Sequence, residues 1–289
     1  MSRNDPCFCG SGKKWKKCHY PQMPPETTQD LAALYKKKYN ILLKTPEQIA
    51  GIRKACRVNA KILKALCEKA CPGMTTRELD LLAQELFKKE KALSASFGYG
   101  NPPFSGHICT SLNDVICHGI PGDTPLKEGD ILNIDVASSI EGYFGDCSAM
   151  VCIGKVSEEK EHVTQVAHEC MMRAIRILKP GLPLSVIGET IETYATSEKC
   201  SVVSVFVSHG VGLQMHEEPQ IPHNRNTLGI PLAPGMIFTI EPMINVGVAD
   251  AVIDPKDKWT ARTADGKPSA QWEHTVLITE KGYEILTLL

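Results

Sequence analysis

Two short runs of this chain return at nearly one offset. Cys71-Pro72-Gly73-Met74 is echoed by Lys179-Pro180-Gly181-Leu182, 108 residues on. Pro125-Leu126-Lys127-Glu128-Gly129-Asp130-Ile131 is echoed by Pro231-Leu232-Ala233-Pro234-Gly235-Met236-Ile237, 106 residues on. The second match runs into Asn133-Ile134-Asp135 and Thr239-Ile240-Glu241. Two matches at nearly one spacing argue for a duplicated body, with halves at about 47–156 and 157–289. Each half reads as two helices followed by strands.

The helix signals support that division. Thr45-Pro46-Glu47-Gln48 combines a Thr cap, a Pro at the first helical position and a Gln three residues on. Ile49, Ile52, Cys56, Ile62, Leu63 and Leu66 then recur at helical spacing until Pro72-Gly73. Thr75 with Glu78 opens a second helix carrying Leu79, Leu82, Leu86 and Phe87. A third starts near Ser157 and stops by Pro180-Gly181, and a fourth follows.

The duplication makes a chemical prediction. Asp135 and Glu241 hold equivalent positions, each inside an apolar strand-like run. Burying a carboxylate there is costly unless it is paired or holds a metal. Asp146 and Glu273 form a second pair, each preceding a short strand-like stretch. Four carboxylates on symmetry-related strands would make a site for two divalent cations. With an imidazole or two, such a site suits Mn, Fe, Co or Zn. Two bridged metals are a known hydrolytic device.

Of the nine histidines, three stand in glycine-flanked or acid-flanked loops. These are His118 in Cys117-His118-Gly119, His209 in Ser208-His209-Gly210 and His216 in Met215-His216-Glu217. Glycine beside a histidine lets backbone and substrate approach closely. His162 and His168 fall on a helix, His107 and His223 have no spacing argument, and His274 should point away from its neighbour Glu273.

Charge is unevenly spread. Residues 1–44 hold nine Lys/Arg against three Asp/Glu, while the rest holds 23 against 30. A basic head on an acidic body suggests a nucleic-acid-facing or ribosome-facing extension; a solvated tail is the plainer alternative. Within it, Cys7, Cys9, Cys18 and His19 follow a C-x-C-x8-C-H spacing that fits one tetrahedral structural zinc. Residues 1–22 then read as a zinc-binding module, 23–45 as a linker, and 46–289 as the periodic, globular body. No apolar run approaches the ~18 residues of a membrane span. Twelve cysteines without a secretory signal point to reduced thiols in the cytoplasm.

Several motifs stand together in order. Asn113-Asp114-Val115-Ile116-Cys117-His118-Gly119-Ile120-Pro121, Asn133-Ile134-Asp135, Gly145-Asp146, His209-Gly210-Val211-Gly212, His216-Glu217-Glu218-Pro219, Thr239-Ile240-Glu241-Pro242 and Glu273-His274-Thr275 span most of the chain. In this set and order the chain resembles the type I methionine aminopeptidases. The resemblance implies the pita-bread fold, an α/β (α+β) architecture with pseudo-two-fold halves. It implies that Asp135, Asp146, His209, Glu241 and Glu273 hold two divalent metal ions, Co, Mn, Fe or Zn. It implies that Glu241 moves the proton of the attacking water, that His216 stabilises the oxyanion, and that His118 positions the substrate amide. Nascent polypeptide N-termini with a small second residue would be the substrates. Tyr99, Cys109, Met215 and Trp259 are the candidates for the methionine pocket, with core packing as the plainer alternative.

Two positions depart from the family's usual pattern. Phe144 precedes Gly145-Asp146 where His is common, and Met215 precedes His216 where Phe is common. The N-terminal stretch resembles the short zinc module at the C-terminus of the preprotein-translocase ATPase. That likeness implies docking, with the ribosome as partner, a phosphate-rich surface matching the basic charge. Removal of residues 1–44 is then expected to spare peptide hydrolysis. A monomer is expected. The competing readings are an X-Pro peptidase of the same fold and a non-catalytic ribosome-binding or RNA-binding protein of that fold.

Overall fold

Thr45 caps the first long helix as its spacing predicts. Its Oγ1 accepts from Gln48 N at 3.3 Å, and Gln48 Oε1 accepts from Thr45 N at 2.9 Å. Thr75 and Glu78 form the same reciprocal pair. In this computed structural model, residues 2–9, 11–20 and 28–288 are described. Gly10 of the cysteine motif, and residues 21–27 where the module was expected to meet its linker, lie outside them.

Five α-helices are present among the described residues: α1 (Thr28–Tyr39), α2 (Pro46–Lys69), α3 (Thr76–Glu90), α4 (Glu158–Arg176) and α5 (Ser185–Ser197). The α2–α3 and α4–α5 pairs are the four helices of the two expected halves. α4 ends four residues before Pro180.

The repeat is visible in the backbone itself. Gly73 and Gly181 both take φ of +88°, a left-handed turn that favours glycine. Gly73 N donates to Leu126 O, and Gly181 N to Leu232 O, each at 2.8 Å. Thr75 bridges Pro125, and Pro183 bridges Pro231. Gly129 N donates to Ile153 O at 2.8 Å, and Gly235 N to Ile278 O at 2.9 Å. Thus the two matched sequence runs pair with each other within each half. That mutual constraint explains why these runs, rather than others, remain alike.

The first half pairs strands Leu93–Ser94, Cys109–Leu112, Ile131–Ile140 and Tyr143–Cys152 in one antiparallel sheet. α2 and α3 cover it through Leu66, Leu79 and Phe87 packed against Leu132, Ile134 and Val136. The second half builds a five-stranded sheet from Val207–Gly210, Glu217–Pro222, Ile237–Ile240, His274–Ile278 and Tyr283–Ile285. α4 and α5 cover this half through Val163, Cys170, Ile187 and Ile191 against Phe238, Ile240 and Val276. The halves join where Ser148 bridges Glu273 and Thr275 Oγ1 donates to Asp146 O at 2.7 Å.

The segment expected as a linker is different from that expectation over residues 28–44. It holds α1, whose Tyr35 is only 5% exposed and lies in the second half's core. Leu31, Tyr35 and Tyr39 make a stripe at four-residue spacing facing that core. The Tyr35 hydroxyl donates to Pro231 O at 2.9 Å, and Ile41 is buried. The lysines of Tyr35-Lys36-Lys37-Lys38-Tyr39 hide this apolar face in the composition.

Candidate active site

Strand register places the acids. Asp135 pairs with Ser148, and Ala137 with Asp146. Paired residues share a face, and so do residues two apart, so Asp135 and Asp146 project from one side. Glu241 and Glu273 stand one step beyond the Ile240–His274 pair, at the end of the neighbouring ladder. The Ser148–Glu273 bridge then closes the two ladders on each other. His209 reaches the same point, with Nε2 3.8 Å from Asp146 Oδ2 and 3.4 Å from Glu241 Oε1.

Four carboxylates this close are electrostatically frustrated. Burial pushes the Asp146 and Glu273 carboxyls well above the usual carboxylate range, and the neighbouring acids push them further. Burial raises Asp135 and Glu241 as well. It lowers the His209 imidazole to about 3, keeping it neutral and able to donate its lone pair. Asp146 Oδ1 is buried without a hydrogen-bond partner. Donor atoms of Asp146, His209 and Glu273 all lie within 4.8 Å of one another. An orphaned carboxylate oxygen beside a neutral imidazole and further acids fits divalent cations. A cation would also relieve the crowded negative charge.

The acids line a cavity of about 630 Å³. His118, His216, Tyr99, Cys109, Met215 and Trp259 line it too. Tyr99 OH lies 2.6 Å from His216 Nδ1, and the His209 and His216 rings are 4.3 Å apart. His118 sits at φ +56°, uncommon for a residue with a side chain. Burial lowers its imidazole to about 4.

Residues 50–280 match the sequence profile of metallopeptidase family M24. The chain belongs to metallopeptidase family M24. It is 61% identical to the methionine aminopeptidase of Chlamydia pneumoniae, over all of this chain and 99% of that one. The Chlamydia trachomatis methionine aminopeptidase is 59% identical over the same shares. The crystal structure of the Rickettsia prowazekii methionine aminopeptidase superposes with a TM-score of 0.83 at 39% identity, covering 86% of this chain and 100% of that one. The pita-bread fold of the M24 peptidases is therefore the fold of this chain. Residues 3–21 match the SEC-C motif.

The cysteine module of this M24 chain has matching geometry. Donor atoms of Cys7, Cys9, Cys18 and His19 all lie within 4.8 Å of one another. Cys7 Sγ is 3.1 Å from His19 Nδ1, and Cys9 Sγ is 3.5 Å from Cys18 Sγ. Trp15 packs against Cys7 and Cys9 as the module's small core.

The remaining histidines lie elsewhere. His274 Nδ1 is 2.8 Å from Thr287 Oγ1, away from the cavity as the strand alternation predicts. His168 packs on Trp272, and His162 Nε2 is 3.1 Å from Glu198 O. His107 stacks on Phe97, and buried His223 Nε2 is 2.8 Å from Ser208 Oγ.

Five apolar lining residues have no place among the sequence candidates: Phe104, Val205, Phe206, Val207 and Met243. Met243 had a signal, lying two residues beyond Glu241. Phe104 and Phe206 sit in irregular segments and had none.

Gly119 shows why His118 needs its glycine. An added Cβ would meet Thr110 O at 2.2 Å, a backbone atom that cannot step aside. Gly119→Ala is expected to cost roughly 1–3 kcal/mol or more, as overpacking does. Thermal denaturation checks this; an unchanged midpoint would show that the strand beside His118 yields freely.

Proposed function

We propose that this protein removes the initiator methionine from nascent polypeptides, preferring a small second residue. The observation that carries the reading is the buried cluster of Asp146, His209 and Glu273 with Asp135 and Glu241 on one cavity wall. It stands in a chain like the Chlamydia methionine aminopeptidases from end to end.

Asp135, Asp146, His209, Glu241 and Glu273 would hold two divalent ions, of Co, Mn, Fe or Zn. When bound, such ions polarise the scissile carbonyl and lower the pKa of water. Glu241 takes the water proton and passes it to the leaving amine. Thr239 Oγ1 donates to its Oε1 at 2.7 Å and Gln271 Nε2 to its Oε2 at 3.3 Å, which fixes the carboxylate's plane. With the Tyr99 hydroxyl donating to Nδ1, His216 keeps its own proton on Nε2 and can donate it toward a developing oxyanion. His118 holds the substrate amide. Tyr99, Cys109, Met215 and Trp259, with Phe206 and Met243, form the soft apolar pocket for a methionine side chain.

The N-terminal module would hold one structural zinc through Cys7, Cys9, Cys18 and His19 and dock on the ribosome through its basic face. We assign residues 1–22 to that module and take the catalytic unit to begin with α1. A cytoplasmic monomer fits this role. No described helix is long and apolar enough to cross a membrane.

The test is a mass-spectrometric peptide assay. Metal-stripped protein is given Mn, Fe, Co or Zn, then offered Met-Ala-Ser, Met-Lys-Ser and Ala-Pro-Ser. Methionine release from the first alone, dependent on added metal, is the expected result. Cleavage of the proline peptide instead would move the chain to X-Pro chemistry. No cleavage by folded, metal-loaded protein would leave a binding protein.

A further inference from the structure

Lys44 and Glu217 stand far apart in sequence and form a buried ion pair at the cavity's edge; their side chains are 1% and 5% exposed, and Glu217 is among the lining residues. Desolvation cancels most of the attraction in such a pair, so stability alone is a weak reason for it. Its geometry supplies a better one. One oxygen of Glu217 faces Lys44 Nζ. The other accepts from Leu213 N at 2.6 Å and Gln214 N at 2.9 Å. The turn leading to Glu217 is folded around that carboxylate.

That turn carries Met215 and His216, which line the cavity, whereas Lys44 does not line it. The lysine is itself held by backbone. Its N donates to Gly235 O at 2.8 Å, and its Nζ to Leu42 O at 3.2 Å. Gly235 opens the run into strand Ile237–Ile240, and Glu241 follows directly on its last residue. An added Cβ on Gly212 would meet Ile52 Cδ1 at 2.4 Å and Lys44 Cε at 3.5 Å, so the turn also rests on the lysine stem.

We propose that Lys44 is a positioning residue: through Glu217 it sets where Met215 and His216 stand relative to Glu241. The proposal rests on the peptidase reading above and deepens it. Without the lysine charge, the Glu217 carboxylate is buried with no counter-ion. It must then draw in water or take a proton. Either change disturbs the acceptor that Leu213 and Gln214 share, and the turn shifts. A displacement of about 1 Å in a positioned group costs up to roughly 100-fold in rate.

The experiment compares full-length, metal-loaded wild type with Lys44→Met, Lys44→Arg, Glu217→Gln, the Lys44→Met/Glu217→Gln double variant and the control Arg53→Met. Arg53 pairs with Glu284 and ties α2 to strand Tyr283–Ile285, outside the cavity. Three readouts are taken: kcat and KM on Met-Ala-Ser, the thermal midpoint, and hydrogen–deuterium exchange over residues 211–217. Lys44→Met is expected to lower kcat roughly 10- to 100-fold with a smaller change in KM, and to speed exchange at Leu213 and Gln214. Lys44→Arg should restore most of the rate. The double variant, which strands no charge, should be more active than Lys44→Met alone. Arg53→Met should lower the midpoint without touching kcat or that exchange. A wild type that cleaves nothing counts against the peptidase reading, and the exchange comparison still decides the role of Lys44. Unchanged exchange in Lys44→Met, or a kcat loss no larger than in Arg53→Met, overturns the proposal.

Discussion

Glu241→Gln is expected to lower kcat by about 10²–10⁴-fold, the usual contribution of a positioned general base. The substitution keeps the shape of the side chain. Its amide oxygen can still accept from Thr239 Oγ1, which donates to Glu241 Oε1 at 2.7 Å in the parent. What is lost is the basic oxygen. Stability should move the other way in the metal-free protein. Glu241 is buried beside Asp135, which raises its carboxyl further, so removing one acid relieves repulsion within the cluster. The metal-free midpoint should therefore stay level or rise while turnover collapses. Metal analysis must accompany the kinetics, because the amide is also a poorer ligand than the carboxylate. Near-wild-type turnover at full metal content would remove Glu241 from the proton-transfer role.

That acid was legible in the sequence because a carboxylate inside Thr239-Ile240-Glu241-Pro242 has no cheap explanation in an apolar run. The helix starts at Thr45 and Thr75 were legible for a local reason: each cap and its partner lie three residues apart. The duplication was legible because Pro72-Gly73 and Pro180-Gly181 each answer a backbone demand, a left-handed turn that bonds to a second matched run. Other features needed the fold. Phe206 and Phe104 enter the cavity from irregular segments, where no periodicity reports direction. The Lys44–Glu217 pair is closed by the meeting of distant segments, and nothing local marks either residue as buried. α1 conceals its docking face. Its apolar stripe is Leu31, Tyr35 and Tyr39, while Lys36, Lys37 and Lys38 between them make the segment read as solvated. Lysine is no sign against docking when it occupies the other face of a helix.

Cutting the chain at two places separates the module from the catalytic unit. Removal of residues 1–22 should leave kcat, KM and the thermal midpoint near those of the full chain. It should weaken ribosome cosedimentation, most clearly at low salt, where contacts from Lys13, Lys14, Lys16 and Lys17 to phosphate count most. Removal of residues 1–44 should instead damage the body, contrary to what the sequence alone suggested. It exposes the surface that Tyr35 and Ile41 cover, at about 1.5–3 kcal/mol for each large apolar side chain. It breaks the Tyr35–Pro231 hydrogen bond, worth about 1 kcal/mol. It also strands Glu217 without Lys44, which costs roughly 3–5 kcal/mol when a buried pair is broken. Together these losses approach the ~5–15 kcal/mol that holds an ordinary domain folded. The shorter variant should therefore melt far below the longer one and lose most of its hydrolysis, with the turn bearing His216 among the first parts affected. Equal midpoints for the two truncations would mean that α1 only lies against the body and contributes nothing to it. Unchanged cosedimentation after the first cut would remove the ribosome as the module's partner and leave the cluster of Cys7, Cys9, Cys18 and His19 with a purely structural part.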